Sequence, residues 1–187
     1  MSAAKRQEFG TIVIDPPWHY DGRPIGGAAP GTFGESEDFP YPTMTLGQIA
    51  ALPVDELAAK SAVLWLWTTN KYLPEAFTLI SWWRFTYKQT IVWGKNNPMP
   101  VGSVAPSAAE FLLVARRGRP RTEMVFPSSV VVTPRPSERR HSTKPECFLD
   151  WIERTSPEPR LEMFARRNRL GWETWGNQAL EHVELSA

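Results

Sequence analysis

Residues Thr11-Ile12-Val13-Ile14 form a short, largely apolar run that stops at Asp15-Pro16-Pro17. Neither proline can donate a ladder hydrogen bond, so a strand entering this segment ends at the aspartate. A continuous run of this kind, rather than an alternating one, fits a strand buried on both faces of a layered sheet. The chain is thereby committed to an interior strand that delivers a carboxylate at its carboxyl end.

The rest of the pattern alternates strand with helix. Residues 16–43 read as a long loop rich in Gly and Pro, and loops of that length inside a compact domain are usually functional. Thr45 can cap a helix over 46–52, residues 62–67 (Ala-Val-Leu-Trp-Leu-Trp) read as a central strand, and Leu73, Phe77, Ile80 and Trp82 follow at roughly helical spacing. A strand over 87–93, a loop over 94–107, a strand over 110–116, a helix opening at Pro145 and a last strand over 160–165 complete the order. This alternation predicts an α/β fold, a sheet with helices on both faces and ligands at the carboxyl ends of its strands.

Composition bounds the function. A chain of 187 residues with 42% hydrophobic and 22% charged residues fits one globular domain, taken here as residues 1–187. A net charge of +1 excludes a polycation, and the single Cys147 excludes an internal disulfide. No Cys/His spacing suits zinc, no apolar run approaches a membrane span, and the amino terminus lacks a signal-peptide core, so the expectation is a metal-free cytoplasmic protein. Nine Trp against four Tyr, with 18 Pro, suggest constrained loops and flat apolar surfaces. Trp65, Trp67, Trp82, Trp83 and Trp93 fall in predicted elements and read as core. Charge is uneven: residues 116–144 carry 8 basic and 2 acidic side chains. Arg116, Arg117, Arg119 and Arg121 read either as a phosphate grip near the active face or as a solvated turn.

Asp15-Pro16-Pro17-Trp18 carries the chemistry. The exocyclic amino group of adenine is a poor nucleophile because its lone pair is delocalised into the ring. Two acceptors that engage both of its N–H bonds favour a pyramidal nitrogen, and the Asp15 carboxylate with the Pro16 carbonyl can supply that pair. Trp18 can then stack on the base, a contact worth roughly 1–3 kcal/mol. The plainer reading of the same four residues is a polyproline turn with Trp18 as a lid on the core. His19 reads as a loop residue, since the amino group becomes acidic only after methylation and needs no strong base.

Ile14-Asp15-Pro16-Pro17-Trp18 resembles the catalytic motif of the MT-A family of S-adenosylmethionine-dependent N6-adenine methyltransferases. Further matches follow in the family's order: Tyr41-Pro42-Thr43-Met44, Leu64-Trp65-Leu66-Trp67, His141-Ser142-Thr143-Lys144-Pro145, and Leu161-Glu162-Met163-Phe164-Ala165-Arg166 with Gly171-Trp172 and Trp175-Gly176-Asn177-Gln178. The resemblance spans about residues 9–178 and implies a Rossmann-like methyltransferase fold in permuted order, the catalytic motif at 14–18 preceding a cofactor half at about 141–178. That order accounts for the missing glycine-rich cofactor loop.

The resemblance assigns catalysis to Asp15, Pro16, Pro17 and Trp18. It places S-adenosyl-L-methionine against Asp15, Lys144, Glu162, Arg166, Asn168, Asn177 and Gln178, with Lys144 near the methionine carboxylate. Tyr41, Lys95, Asn97 and Glu110 fall on the substrate side, to which the basic stretch adds Arg117 and Arg119. Two departures stand out. Only eight residues precede Phe9, so the pocket that the family's upstream segment closes over the cofactor adenine is expected to be built differently or left more open, and Arg167-Asn168-Arg169 stands where the mRNA enzymes often show a His-Asn pair. The compact chain resembles stand-alone prokaryotic or phage members, which puts DNA with a flipped adenine first among acceptors and RNA second. An inactive nucleic-acid-binding subunit is the rival from another class. A homodimer and a pairing with a partner subunit are both compatible with the sequence.

Overall fold

The computed structural model describes residues 7–19, 43–99, 104–122, 124–134 and 143–176, without the side chains of 97–99. Among the described residues seven strands form one sheet: β1 (Phe9–Ile14), β2 (Ala58–Thr68), β3 (Thr86–Met99), β4 (Ser107–Arg117), β5 (Val130–Thr133), β6 (Arg160–Met163) and β7 (Glu173–Trp175). Their spatial order is β5-β3-β4-β2-β1-β6-β7. All neighbours are parallel except β4, which runs against β2 and β3. The predicted α/β sheet with helices on both faces is therefore what the chain forms.

Every residue of β1 is buried, as its unbroken pattern requires. Alternation sends Ile12 and Ile14 to one face and Val13 to the other. On the first face lie α1 (Leu46–Ala50), α2 (Val54–Leu57) and α3 (Leu73–Trp82). Thr45 caps α1 with the reciprocal Gln48 bond of a capping box. On the second face lies α4 (Glu146–Thr155), which buries Phe148 and Ile152 against Trp65, Trp67 and Trp93. Trp67 and Trp93 meet edge to face at 6.2 Å, and Trp67 meets Phe148 likewise at 4.9 Å. Both indole N–H groups of the buried pair Trp65 and Trp93 are satisfied, by Ser156 and Thr133.

The topology fixes the site. After β1 the chain builds the sheet outward on one side through β2, then returns to lay β6 on the other side of β1. The crevice beyond the carboxyl ends of β1 and β6 is a topological switch point, where open α/β sheets bind ligands. Several elements depart from the sequence reading. The segment expected as a loop over 94–107 continues as strand through Met99, so Lys95 lies within β3; the short edge strands β5 and β7 and the helix α2 are additional. Trp82 is 56% exposed rather than core, because α3 turns Ala76, Leu79 and Ile80 to the sheet.

At the opposite edge, β4 ends in a tight turn at Gly118, whose φ is +63°. A Cβ there would collide with the Lys60 carbonyl and Ser61 Oγ. Gly118→Ala is expected to lower stability by about 2–3 kcal/mol, from left-handed strain plus the clash, read as a fall in the thermal or denaturant midpoint.

Candidate active site

Asp15 leaves β1 where the two prolines force the chain off the sheet. The turn is tightly held: the Trp18 N–H donates to the Pro16 carbonyl at 2.8 Å and the Met44 N–H to the Pro17 carbonyl at 2.8 Å. His19 Nδ1 and Thr43 Oγ1 lie 2.9 Å apart, which agrees with the loop role expected for this histidine. Trp18 is 6% exposed in the core cluster and stacks on Tyr72, centroids 4.8 Å apart and planes within 9°. Its expected role as a stacking face for a substrate base is corrected: that face is already covered, and the plainer reading of a lid on the core holds.

A line of partly buried charges runs from Asp15 across the sheet. Lys144, just before α4, donates to Asp15 Oδ2 at 2.7 Å and reaches Glu110 Oε2 at 3.3 Å. Lys95 on β3 donates to the other Glu110 oxygen at 2.5 Å. Each ammonium also lies over an indole, Lys144 5.4 Å from the Trp67 ring and Lys95 5.0 Å from the Trp93 ring. Four charges therefore alternate in sign. Burial, with Glu110 nearby, raises the Asp15 pKa above the ordinary carboxylate value, and Lys144 opposes that rise. For Glu110 burial also acts upward, but Lys144 and Lys95 outweigh it and hold the carboxyl below its usual range. Burial likewise disfavours the Lys144 cation, yet Asp15 and Glu110 raise its pKa and keep it charged.

Beside this line opens a cavity of about 540 Å³, a size that suits a small cofactor. Asp15, Lys144, Glu162 and Arg166 all lie on its wall, with Trp67, Phe148, Leu149 and Phe164 supplying apolar surface. Glu162 pairs with Val13 across the β1–β6 ladder and so shares the α4 face. Burial, reinforced by Asp15, pushes its carboxyl up to about 7 against the pull of Arg169 and Arg166. The opening residues of α4, Pro145 and Glu146, form another part of the wall. Sequence reasoning missed the contributions of Trp67 and Phe148, although Trp67 sits one residue from the carboxyl end of β2, where a ligand was expected.

Other expected site residues are placed elsewhere. Arg117 ends β4 at the far edge of the sheet, where its guanidinium pairs with Asp55 and donates to the Asp55, Ala58 and Ala59 carbonyls. The Arg119 N–H donates to Ser61 Oγ at the same edge. Because β4 is the one antiparallel strand, its carboxyl end points away from Asp15, so the expected phosphate grip beside the active face is corrected for both. Asn168 is exposed and its amide donates to Thr174 Oγ1 at 3.1 Å, bracing the β6–β7 connection. Tyr41, Asn177 and Gln178 and the side chain of Asn97 lie outside the described residues. Among the described residues no group of three His, Cys, Asp or Glu could hold a metal ion, and no helix is long and apolar enough to cross a membrane.

The sequence model of the MT-A70 family matches residues 9–178. The chain belongs to the MT-A70 family. Its domain is that of an S-adenosylmethionine-dependent N6-adenine methyltransferase acting on nucleic acid. Among its relatives is the type II methyltransferase M.MunI of Mycoplasma sp, 30% identical over 91% of this chain and 78% of the relative. A probable N(6)-adenosine-methyltransferase MT-A70-like protein of Oryza sativa is 27% identical over 91% of this chain and 23% of its own length. The N6-methyladenosine RNA methyltransferase MTA1 of Pyricularia oryzae is 30% identical over 95% of this chain and 49% of its own length. The chain thus spans most of the first relative and half or less of the other two.

Glu162 provides a check on the site's electrostatics. A carboxyl held near 7 in the folded chain and near 4.5 when unfolded stabilises least where it must ionise while buried, so stability falls as pH rises from about 4.5 through 7. Glu162→Gln removes that cost. Its melting temperature is expected to exceed wild type by roughly 5 °C at pH 8 and to match it at pH 5.

Proposed function

We propose that the cavity beyond β1 and β6 holds S-adenosylmethionine and that the Asp15-Pro16 turn presents the amino group of an adenine to it. The observation that carries this reading is Asp15 itself, a carboxylate on the cavity wall whose charge Lys144 sustains at 2.7 Å. The donor set fits the cofactor. Lys144 and the first turn of α4 suit its carboxylate, Asp15 and Glu162 suit its cationic and hydroxyl groups, and Phe164 and Leu149 offer apolar wall to its rings. Arg166 shares that wall, and the resemblance adds Asn177 and Gln178.

When bound, the cofactor supplies a methyl group made electrophilic by its sulfonium centre. The protein's part is positioning. Asp15 Oδ2 faces Lys144, and Oδ1 is assigned to accept from one amino N–H of the base. The Pro16 carbonyl spends one lone pair on the Trp18 N–H and keeps the second for the other amino hydrogen. The two prolines hold this pair of acceptors rigid, and Trp18, locked between Tyr72 and the core, anchors the turn from below. The proton released after transfer needs no strong base, since the methylated amino group is cationic. Glu110 works through Lys144 rather than on the base, because both its oxygens are engaged by lysines. Tyr41 and Asn97 keep their assignment to the acceptor side.

The acceptor polymer is the finer question. DNA is what the compact chain suggested, and the long match to a type II methyltransferase is in keeping with it. RNA is the better-backed reading, because the plant relative is named for adenosine methylation and the fungal one for RNA. Transfer of a labelled methyl group to matched RNA and DNA strands, followed by nucleoside analysis, decides between them. The expected product is N6-methyladenosine, formed faster than N6-methyldeoxyadenosine, and Asp15→Asn is expected to lower the rate by about 10²–10³-fold with the fold retained. A higher rate on DNA reverses the choice of polymer. Label in neither, or an Asp15→Asn enzyme as fast as wild type, overturns the proposal.

A further inference from the structure

The arginines that the sequence pointed toward the catalytic face gather at the edge farthest from it. Where β2 and β3 begin and β4 ends, Lys60, Lys88, Arg119 and Arg121 are exposed and Arg116 is half-buried. None of these five forms an ion pair with another described residue, and Arg116 Nε is buried without a hydrogen-bond partner. In the stretches 53–62, 81–90 and 115–122 that build this edge, Asp55 and Glu56 are the acids. Asp55 is already shared by Arg84 and Arg117. A chain whose net charge is only +1 thus gathers positive charge where β2 and β3 begin and β4 ends, while Glu8, Glu158 and Glu173 stand where β1, β6 and β7 begin. Trp82 stands at the same end, two residues before Arg84 and 56% exposed.

Unpaired cations at this density repel one another in the free protein, and an anionic partner relieves that repulsion. Guanidinium forks match phosphate oxygens, and an exposed indole offers a stacking face to any base. An acidic protein surface would satisfy the charge but give the indole no role, so a nucleic acid is the favoured partner. We infer that this distal edge is a second nucleic-acid site, which anchors the acceptor polymer through its phosphates away from the cavity. It rests on the reading that the acceptor is nucleic acid. Along β2 from Lys60 to Thr68 the chain rises about 26 Å, so a polymer engaging both ends needs the length of roughly eight duplex base pairs or more. Short acceptors can reach the cavity alone.

The test compares wild type with the double variant Lys60→Glu, Lys88→Glu and with Trp82→Ala. Fluorescence anisotropy follows binding of an oligonucleotide of about 30 residues across a salt series, and steady-state transfer is measured on that oligonucleotide and on one of about five. The double variant is expected to bind the long strand at least tenfold more weakly, with a slope of log affinity against log salt flattened by about 1.4 on a single strand and about 1.8 on a duplex. Its KM for the long strand rises while kcat, and all transfer to the short one, stays at the wild-type level. Trp82→Ala is expected to weaken long-strand binding without altering the slope. Wild-type affinity and slope in both variants overturn the inference, and so does an equal loss on both lengths. Binding of poly-glutamate as tight as that of the long strand would reassign the edge to an acidic protein. Transfer by wild type to the short strand reports on the proposed function separately, whatever the distal edge does.

Discussion

Lys144 places one ammonium between two partly buried carboxylates, 2.7 Å from Asp15 and 3.3 Å from Glu110. Each of these groups alone would carry a desolvation cost of several kcal/mol, and together with Lys95 they offset it by alternating in sign. The consequences are structural as well as chemical. Asp15 follows the end of β1, Glu110 lies near the start of β4, Lys95 toward the end of β3 and Lys144 at the entry of α4, so one chain of contacts fixes these strand ends and the first turn of the helix relative to one another. The cavity wall inherits that geometry. The same ammonium opposes the upward pull of burial on the Asp15 carboxyl, and an ionised carboxylate accepts hydrogen bonds more strongly than a neutral one.

The direction of β4 explains how the two ends of the molecule came to differ. As the one antiparallel strand, it begins at the catalytic end with Glu110 near its start and finishes at the distal end with Arg116 and Arg117. A single strand thereby supplies the anion that holds Lys144 and the cations of the far edge.

Much of this was legible in the sequence where one local rule decided the outcome. The unbroken run ending in two prolines specified β1 and put Asp15 at its end, and the alternation of Leu64, Trp65, Leu66 and Trp67 specified a strand buried on both faces. Lys144, Glu162 and Arg166 came from ordered resemblance rather than spacing, and the fold does bring them to one wall. Trp18 was harder: an indole after a polyproline turn serves equally as a lid or a platform, and only the position of Tyr72 distinguishes the two. Arg117 and Arg119 were misplaced because strand direction, which no local pattern encodes, decides which edge a turn occupies. The extension of β3 past Gly94 was hidden by Asn96, Asn97 and Pro98, residues with low strand propensity that here lie toward the end of a long strand pairing with β4 and β5.

The central claim is that Lys144 keeps Asp15 charged for catalysis. The direct measurement is the rate of methyl transfer against pH for wild type and Lys144→Met, each at saturating cofactor and acceptor. Without the ammonium, burial and the Glu110 charge act on Asp15 unopposed by their nearest cation, so its carboxyl takes up a proton at higher pH. The account predicts that the acid limb of the profile moves to higher pH in the variant. An acid limb at the same pH in both enzymes would contradict it.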